Sequence, residues 1–413
     1  MHSVRRAIFS RSRKLALTMT VNTSVLRCRP SSISFPSDQP DFQDPSTAEA
    51  IALASRHLLQ GNTVAFPTET VYGLGALALD PQAASRIFAT KGRPADNPLI
   101  VHVSSTAMLR TLLPSTYSLP PSYDVLMKRF WPGPLTLLFP SDPDVVPPII
   151  TANHPTVAIR MPSHPVARAL IAVANAPIAA PSANSSGKPS PTRAEHVLRD
   201  LGGKLEIILD GGACDVGVES TVVDGLGADG SIRVLRPGGV TVEDIESALR
   251  EEIGAAAPRV LVHRRHFEDA AIEAAPTTPG MKYRHYSPSV PVTLLYTSGH
   301  PPSDFTRTPA AEFFGSLKSA DSSVTVKVGL LLPSDSRLLH HAKEVPGIEW
   351  FSFPLGAVSD PAVSAQRLFD GLLTLEERGV DWILVEEVAE EKEGLAFMNR
   401  VKKAAGESRW IEL

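Results

Sequence analysis

Cysteine, net charge and long apolar runs are all scarce in this sequence. Its 413 residues include two cysteines, Cys28 and Cys214, whose spacing supplies neither a disulfide framework nor a zinc site. That usage is typical of an intracellular protein. A formal net charge of −4 provides no global field for nucleic acid, so any contact with RNA has to be local. Since no apolar run approaches the length of a membrane span, we expect no membrane partner.

Acidic residues are missing from the amino-terminal segment, in which the first is Asp38. Arginine and serine are frequent before it. This composition is typical of a mitochondrial transit peptide, and an untargeted disordered leader is the alternative. A second start at Met19 would remove most of the basic part. We therefore predict a disordered leader over residues 1–43 and a cytoplasmic protein, with a second, mitochondrial product as the hypothesis that the leader adds.

Proline, by contrast, is abundant at 37 residues, and the chain length favours two domains. Short strands mixed with helices predict one α/β domain over residues 44–253. Residues 254–291 show little periodicity and predict a linker. Residues 292–413 alternate strands and helices, which indicates a smaller parallel sheet.

The segment Lys91–Leu99 is the first candidate for ligand binding. Gly92 stands between Lys91 and Arg93, and a glycine lets the backbone approach a ligand closely. Arginine presents a planar fork of donors and lysine a mobile point charge, and the two together suit a polyphosphate. A solvated basic turn before a strand is the alternative, because short motifs also match by chance.

Two further segments have the composition of an anion site. An alternating strand over residues 156–162 places Thr156, Ala158 and Arg160 on one face, where the arginine suits a carboxylate or phosphate. The hydroxyl-rich loop 182–190 is not a Walker A loop, but its N–H groups and hydroxyls are able to hold phosphate. A surface arginine at a strand end and an ordinary serine-rich loop are the alternatives.

Residues 73–78 fit the loose dinucleotide-binding pattern G-x-G-x-x-A, with Gly73 and Gly75 as its glycines. In that motif the glycines open a helix directly after a strand. Here Leu79-Asp80-Pro81 interrupts the chain where the helix should run. We therefore expect a turn beside a ligand, and a nicotinamide oxidoreductase is kept as an alternative function.

The predicted linker contains one segment, residues 279–288, in which cations and aromatic residues interleave. Such a segment suits stacking on a base and covering phosphates. A plain basic linker is the alternative that composition alone favours.

Together these stretches resemble the threonylcarbamoyl-AMP synthase family in its long form. The matching residues are PTETVYGLG at 67–75, KGRPADNPLIVHV at 91–103, FWPGPLT at 130–136, VAIRMP at 157–162, APSANSSGKPSPT at 180–192, STVVD at 220–224, LRPG at 235–238 and PGMKYRHYSP at 279–288. They run in family order over most of the chain after Asp44. The resemblance implies an α/β fold: a YrdC-like domain with a twisted mixed sheet and a concave basic face, a linker, and a smaller Rossmann-like parallel-sheet domain.

For activity, the resemblance implies a nucleotidyltransferase that joins L-threonine, bicarbonate and ATP into threonylcarbamoyl-AMP and releases pyrophosphate. Mg²⁺ is expected with the ATP. A downstream threonylcarbamoyl transferase complex then modifies a tRNA adenosine next to the anticodon, and direct contact with tRNA or another RNA is a hypothesis. The alternative is a non-catalytic double-stranded-RNA-binding module on the same fold.

The resemblance also assigns roles to residues. Lys91 and Arg93 are the expected catalytic cations. The expected ATP contacts are Lys91, Arg93, Asn97, Thr156, Ser182, Ser190, Arg236, His285 and Tyr286, the last two as a lid. The expected L-threonine contacts are Thr70, His102, Arg160, Ala180 and Ser220, with Arg160 pairing the threonine carboxylate. Whether His102 acts as a base or as a contact stays open, since a lone histidine in an apolar strand is more often a core residue.

Overall fold

The computed structural model describes residues 21–263, 265–268, 277, 285–303, 305–318 and 325–413. Within these residues the chain forms an 11-stranded mixed sheet, then a six-stranded parallel sheet, and a separate two-stranded pair. This confirms the expected α/β architecture of a large mixed sheet followed by a smaller parallel one. The same part of the chain has no helix long and apolar enough to cross a bilayer.

The large sheet has the strand order β1-β10-β4-β5-β9-β6-β8-β7-β11-β12-β13. Its strands are β1 Ser24–Arg27, β4 Val64–Phe66, β5 Gly73–Leu77, β6 Ile100–His102, β7 Leu135–Pro140, β8 Thr156–Arg160, β9 Ile178–Ala179, β10 Ile207–Asp210, β11 Thr221–Asp224, β12 Ile232–Arg236 and β13 Val260–Val262. The separate pair consists of β2 Ile33–Ser34 and β3 Asp41–Phe42.

Capping residues and prolines set where several helices begin. Asp44 and Asp80 accept hydrogen bonds from the first-turn N–H groups of α1 and α2, and a proline occupies the first helical position of each. Thr241 and Asp244 form a reciprocal capping box at the start of α8. The helices of this domain are α1 Pro45–Leu59, α2 Pro81–Lys91, α3 Thr106–Arg110, α4 Pro121–Phe130, α5 Pro148–Thr151, α6 Pro165–Ala174, α7 Ala194–Leu201 and α8 Val242–Ile253.

The structure corrects part of the predicted leader. Strand β1 pairs in parallel with β10, with Ser24 opposite Ile207, and β2 pairs with β3, so residues 21–43 are part of the first domain rather than a disordered leader. The first part of the leader, residues 1–20, lies outside the described residues. Strand β1 escaped prediction because it is a short edge strand, mostly exposed, and shows no apolar alternation.

The predicted linker also contains ordered structure. Strand β13 pairs in parallel with β12, with Val260 opposite Ile232, so the large sheet extends beyond residue 253. Three residues are too short for periodicity to reveal. Of the segment 279–288, residues 279–284 lie outside the described residues.

The smaller sheet has the strand order β15-β19-β14-β18-β16-β17, and every pairing in it is parallel. Its elements are β14 Val292–Tyr296, β15 Arg307–Pro309, α9 Ala310–Ser316, β16 Val326–Leu331, α10 Leu338–Lys343, β17 Ile348–Ser352, α11 Pro361–Glu377, β18 Trp382–Glu386, α12 Glu393–Ala404 and β19 Glu407–Glu412. Helices α11 and α12 share one apolar cluster, and α9 and α10 share another. One face of this domain packs on the first domain. There Arg193, which directly precedes α7, donates two hydrogen bonds, of 3.1 and 2.7 Å, to the carboxylate of Asp370 on α11.

Candidate functional site

A cavity of about 230 Å³ lies where the ends of several strands of the large sheet meet α2 and the loop 182–190. Lys91, Arg93, Arg160 and Arg236 all line it, so four basic side chains from three parts of the chain share one hollow. Twelve of the fourteen predicted site residues lie on its wall: Thr70, Lys91, Arg93, Asn97, His102, Arg160, Ala180, Ser182, Ser220, Arg236, His285 and Tyr286.

Lys91 and Arg93 lie at the end of α2, joined by Gly92 in the left-handed region at φ 61°. Lys91 is 4% exposed, so the alternative of a solvated basic turn is wrong. Its Nζ donates to the backbone carbonyls of Ser182 and Asn184, which ties α2 to the hydroxyl-rich loop. Burial, and then the charge of Arg93, holds the pKa of the Lys91 ammonium well below its usual range.

The guanidinium of Arg93 is held by two backbone carbonyls that follow it in the chain. Its Nη2 donates to the carbonyls of Asn97, at 3.1 Å, and Pro98, at 3.3 Å. Burial lowers the pKa of Arg93 to about 10. A cation held in such a setting is stabilised by an anion that enters the cavity.

Arg160 lies at the other side of the cavity, at the end of β8. Because β6 and β8 are parallel neighbours with His102 opposite Arg160, the two side chains come from adjacent strand ends. Arg160 Nε donates to Gly133 O at 3.1 Å, and Nη1 donates to Thr70 Oγ1 at 2.8 Å. Nη2 forms an ion pair of 2.6 Å with the carboxylate of Glu69.

Glu69, the ion-pair partner of Arg160, was not singled out from the sequence. Burial raises its pKa, but the charge of Arg160 and hydrogen bonds outweigh burial and lower the pKa overall. The carboxylate is therefore ionised and compensates Arg160. Glu69 stands next to Thr70 inside the matched segment 67–75, so its place in that segment was the available signal.

His102 is buried, and its Nδ1 lies 3.2 Å from the carbonyl oxygen of Ile100. Burial, with the charge of Arg160 adding to it, lowers the pKa of the imidazole to about 3. The ring is therefore neutral near pH 7. A neutral ring with this pKa is a very weak base, so the geometry favours the role of a contact.

Ser220 and Arg236 face each other across the hairpin of β11 and β12. Arg236 donates from Nε and Nη2 to Ser220 O, at 3.2 and 2.8 Å, and from Nη2 to Ser220 Oγ at 3.2 Å. Burial lowers the pKa of Arg236 to about 10. Ala180 N donates to Ile100 O at 3.0 Å, which brings the small side chain of Ala180 to the wall beside β6.

Ser190 and Thr156 are the two predicted residues that do not line the cavity. Ser190 is fully buried behind the cavity wall. Its Oγ donates a hydrogen bond of 2.6 Å to Oε1 of Glu219, which lines the cavity. Thr156 begins β8, at the end of the strand opposite to Arg160. Their ATP contacts stay predictions.

His285 and Tyr286 close one side of the cavity. Their ring centroids are 4.2 Å apart, and Tyr286 packs on Phe369 of α11 at 5.1 Å. Tyr286 has φ 67°, which is a strained value for a tyrosine. The contact with Phe369 and the burial of the Tyr286 side chain maintain this conformation. Burial lowers the pKa of His285 to about 4, so this wall is uncharged near pH 7.

Gly73 and Gly75 lie within strand β5, not at a strand-to-helix turn. A Cβ on Gly75 would come within 2.6 Å of Phe66 Cε1 and 2.7 Å of Ile178 Cγ2, so the glycine is needed for packing. The dinucleotide motif is therefore wrong for this segment. The expected turn beside a ligand is wrong as well, although Gly73 does line the cavity.

Comparison with known proteins agrees with this arrangement. A family model described as telomere recombination (Sua5, YciO and YrdC) matches residues 56–238, and one described as the threonylcarbamoyl-AMP synthase carboxy-terminal domain matches residues 240–406. Threonylcarbamoyl-AMP synthase of Schizosaccharomyces pombe is 45% identical over 364 residues, covering 83% of this chain and 84% of that protein. Threonylcarbamoyl-AMP synthase of Pyrococcus abyssi is 44% identical, covering 86% and 94%.

A solved structure of P. abyssi Sua5 complexed with L-threonine has a TM-score of 0.73 and 39% identity, covering 95% of this chain and all of that one. The fold and the cavity thus define an enzyme with a YrdC-like domain and a carboxy-terminal parallel-sheet domain. The chain belongs to the threonylcarbamoyl-AMP synthase family.

Proposed function

We propose that this chain condenses L-threonine, bicarbonate and ATP into threonylcarbamoyl-AMP and releases pyrophosphate, which makes it a nucleotidyltransferase. The observation that carries the proposal is the single cavity in which Lys91, Arg93, Arg160 and Arg236 meet. In this reaction the threonine amine and bicarbonate form a carbamate with loss of water. A carbamate oxygen then attacks the α-phosphorus of ATP and displaces pyrophosphate, and both reactants in this step are anions. Fixed cations let such anions approach without reorganisation at the moment of reaction.

The positions of the cations support a division of the cavity into two sides. Lys91, Arg93 and Asn97 form one side and would hold the ATP phosphates, with Ser182 and Arg236 on the nucleotide and the lid formed by His285 and Tyr286. Thr70, His102, Arg160, Ala180 and Ser220 form the other side and would surround threonine. The fork of Arg160 suits the threonine carboxylate, because its three donor positions are already oriented by Gly133, Thr70 and Glu69.

Mg²⁺ would arrive with the ATP. Among the described residues, no three His, Cys, Asp or Glu side chains come together as a metal site. Mg²⁺ bound to phosphates needs one or two protein carboxylates and keeps several waters. Asp96 lies on the cavity wall beside Arg93 and fits that role. The ion would neutralise phosphate charge as pyrophosphate leaves.

The product would serve the modification of a tRNA adenosine next to the anticodon, through a downstream threonylcarbamoyl transferase complex. Synthesis in the cytoplasm, with a second product in mitochondria, is part of the proposal and rests on the basic composition of the leader. A fluorescent fusion of the full chain and one that starts at Met19 would separate the two locations.

The test is incubation with ATP, L-threonine and ¹³C-bicarbonate, with mass analysis of the product and a pyrophosphate assay. We expect a labelled threonylcarbamoyl-AMP and pyrophosphate release that needs all three reactants. Arg160→Ala should lose threonine-dependent turnover and keep most of its ATP binding. Pyrophosphate release that ignores threonine and bicarbonate, or none at all, would overturn the proposal.

A further inference from the structure

The carboxy-terminal domain places one arginine directly behind the wall of the cavity, in contact with a residue that lines it. Arg400 lies on α12, is 0% exposed, and is among the largest fully buried side chains in the described part of the protein. Its Nε donates to Glu219 Oε2 at 3.0 Å, and Nη1 donates to the backbone carbonyl of Pro237. Pro237 directly follows Arg236 at the end of β12, so Arg400 contacts the catalytic domain at two points.

Glu219 is the group that receives this contact, and it lines the cavity. Its other oxygen, Oε1, accepts the 2.6 Å hydrogen bond from Ser190 Oγ. Burial raises the pKa of Glu219, but the charges of Arg400 and Arg236, in that order, outweigh burial and lower it to about 2. The carboxylate is therefore ionised inside the protein and depends on Arg400 for compensation.

The lid residue Tyr286 belongs to the same group of contacts. The Arg400 guanidinium carbon lies 5.9 Å from the centre of the Tyr286 ring. Burial, and then the charge of the nearby Glu219 carboxylate, raises the pKa of the Tyr286 hydroxyl. Residues next to Tyr286 also bind α12: His285 N donates to Lys403 O at 3.3 Å and Ser287 Oγ to Ala404 O at 3.2 Å. One helix of the carboxy-terminal domain thus holds both the lid and the carboxylate beneath it.

We propose that Arg400 is a positioning residue through which the carboxy-terminal domain fixes the Glu219 carboxylate, and with it Ser190, on the ATP side of the cavity. This rests on the proposed function, which assigns that side to ATP. Arg400 does not line the cavity and is not a catalytic residue. When the Arg400 guanidinium is removed, the Glu219 carboxylate either stays ionised at a high cost in free energy, takes up a proton, or turns toward Arg236. Each of these changes the field at the nucleotide.

The test compares Arg400→Met with Arg193→Met, which breaks another contact between the domains at Asp370, away from Glu219. ATP binding is measured by calorimetry, and the KM values for ATP and threonine are measured during turnover. We expect Arg400→Met to raise the ATP dissociation constant and KM about tenfold. The threonine KM should change much less, and Arg193→Met should leave both KM values near those of the wild type.

A double-mutant cycle with Glu219→Gln separates positioning from general damage to the fold. If Arg400 acts through Glu219, adding Arg400→Met to Glu219→Gln causes no further loss of ATP binding. A further tenfold loss in that background would overturn the proposal, as would unchanged ATP binding in Arg400→Met. Equal effects of Arg400→Met and Arg193→Met on both KM values would overturn it too.

A second variant and a binding measurement keep the result decisive. If Arg400→Met does not fold, Arg400→Lys keeps the charge but gives up the fork that reaches Glu219 and Pro237 together, and it should show a smaller rise in the ATP dissociation constant. Calorimetry does not need turnover. A wild type that binds ATP without forming product would therefore count against the proposed function, while the binding data would still decide the role of Arg400.

Discussion

Glu69 and Arg160 form an ion pair of 2.6 Å in which the side chains are 8% and 4% exposed. The second carboxylate oxygen of Glu69 accepts hydrogen bonds from the backbone N–H groups of Ser163, at 3.1 Å, and His164, at 3.4 Å. The pair therefore joins the segment before β5 to the segment after β8. It orients the arginine that we assign to threonine before any substrate is present.

Breaking this pair should destabilise the protein. Glu69→Gln keeps the shape of the side chain but leaves the Arg160 charge buried without its partner, and we expect the free energy of unfolding to fall by about 3 kcal/mol. The measurement is denaturant unfolding at pH 7. Asp124→Asn is the control, since Asp124 pairs with Lys128 on an exposed helix surface, and it should cost far less. Equal losses in the two variants would contradict the role of Glu69.

Removing Lys91 should weaken nucleotide binding. Lys91→Met retains the apolar stem and removes the ammonium, and we expect the ATP dissociation constant to rise about tenfold or more. Because burial depresses the pKa of Lys91 and phosphate raises it again, ATP binding should take up protons in the wild type and fewer in the variant. Calorimetry in two buffers of different ionisation enthalpy measures this uptake. Lys188→Met, which removes a partly exposed lysine paired with Asp200, is the control. ATP affinity unchanged by Lys91→Met would remove Lys91 from the site.

One substitution should have opposite effects at two glycines. Gly75→Ala places a methyl group against Phe66 and Ile178 inside the sheet, and we expect a loss of stability of about 1–3 kcal/mol. Gly315→Ala adds a methyl group with nothing within 4 Å in helix α9, and we expect a gain of about 0.5–1 kcal/mol. Thermal unfolding of both variants checks the pair. A Gly75→Ala protein as stable as the wild type would mean that β5 is not packed as described.

The neutral state of His102 predicts a pH dependence of stability. Its pKa falls from 6.5 to about 3 on folding, so between these values the unfolded chain binds a proton that the folded chain does not. Stability therefore falls as the pH is lowered from about 6.5 toward 3, and His102 contributes about one proton to that slope. His102→Asn should reduce the slope by this amount in denaturant titrations. An equal slope in wild type and His102→Asn would show that His102 is charged in the folded protein.

The sequence predicted most of the fold because its elements carry local signals. Helix α1 has an aspartate cap, a proline at its first position and an apolar stripe, and the structure places it at Pro45–Leu59. Strand β14, at Val292–Tyr296, is a run of apolar and β-branched residues that is typical of a buried strand. Strands β1 and β13 escaped because they are short, and the partner of β1, strand β10, lies far away in sequence. Such pairings depend on tertiary contacts that no local pattern records.

The residues of the site also divide into those that a local sequence pattern predicts and those that it does not. Lys91, Arg93 and Arg160 were found because cations beside glycine or on an alternating strand have a recognisable chemistry. Glu69, Glu219 and Arg400 were not singled out, because no local pattern marks a buried carboxylate whose arginine partner comes from elsewhere in the chain. Arg400 is 181 residues away from Glu219, and α12 shows no sequence feature that points to a cavity in another domain.

Strand β1 limits how the amino terminus can be processed. Val21 N donates to Gly203 O at 3.0 Å, and Ser24 N to Glu206 O at 2.8 Å, so the ordered chain is anchored from Val21 onward. A protease that matures an imported precursor has to cleave upstream of this anchor to leave the edge of β10 covered. Translation from Met19 would meet the same requirement, so the cytoplasmic and mitochondrial products that we propose would contain the same folded residues from Val21 onward.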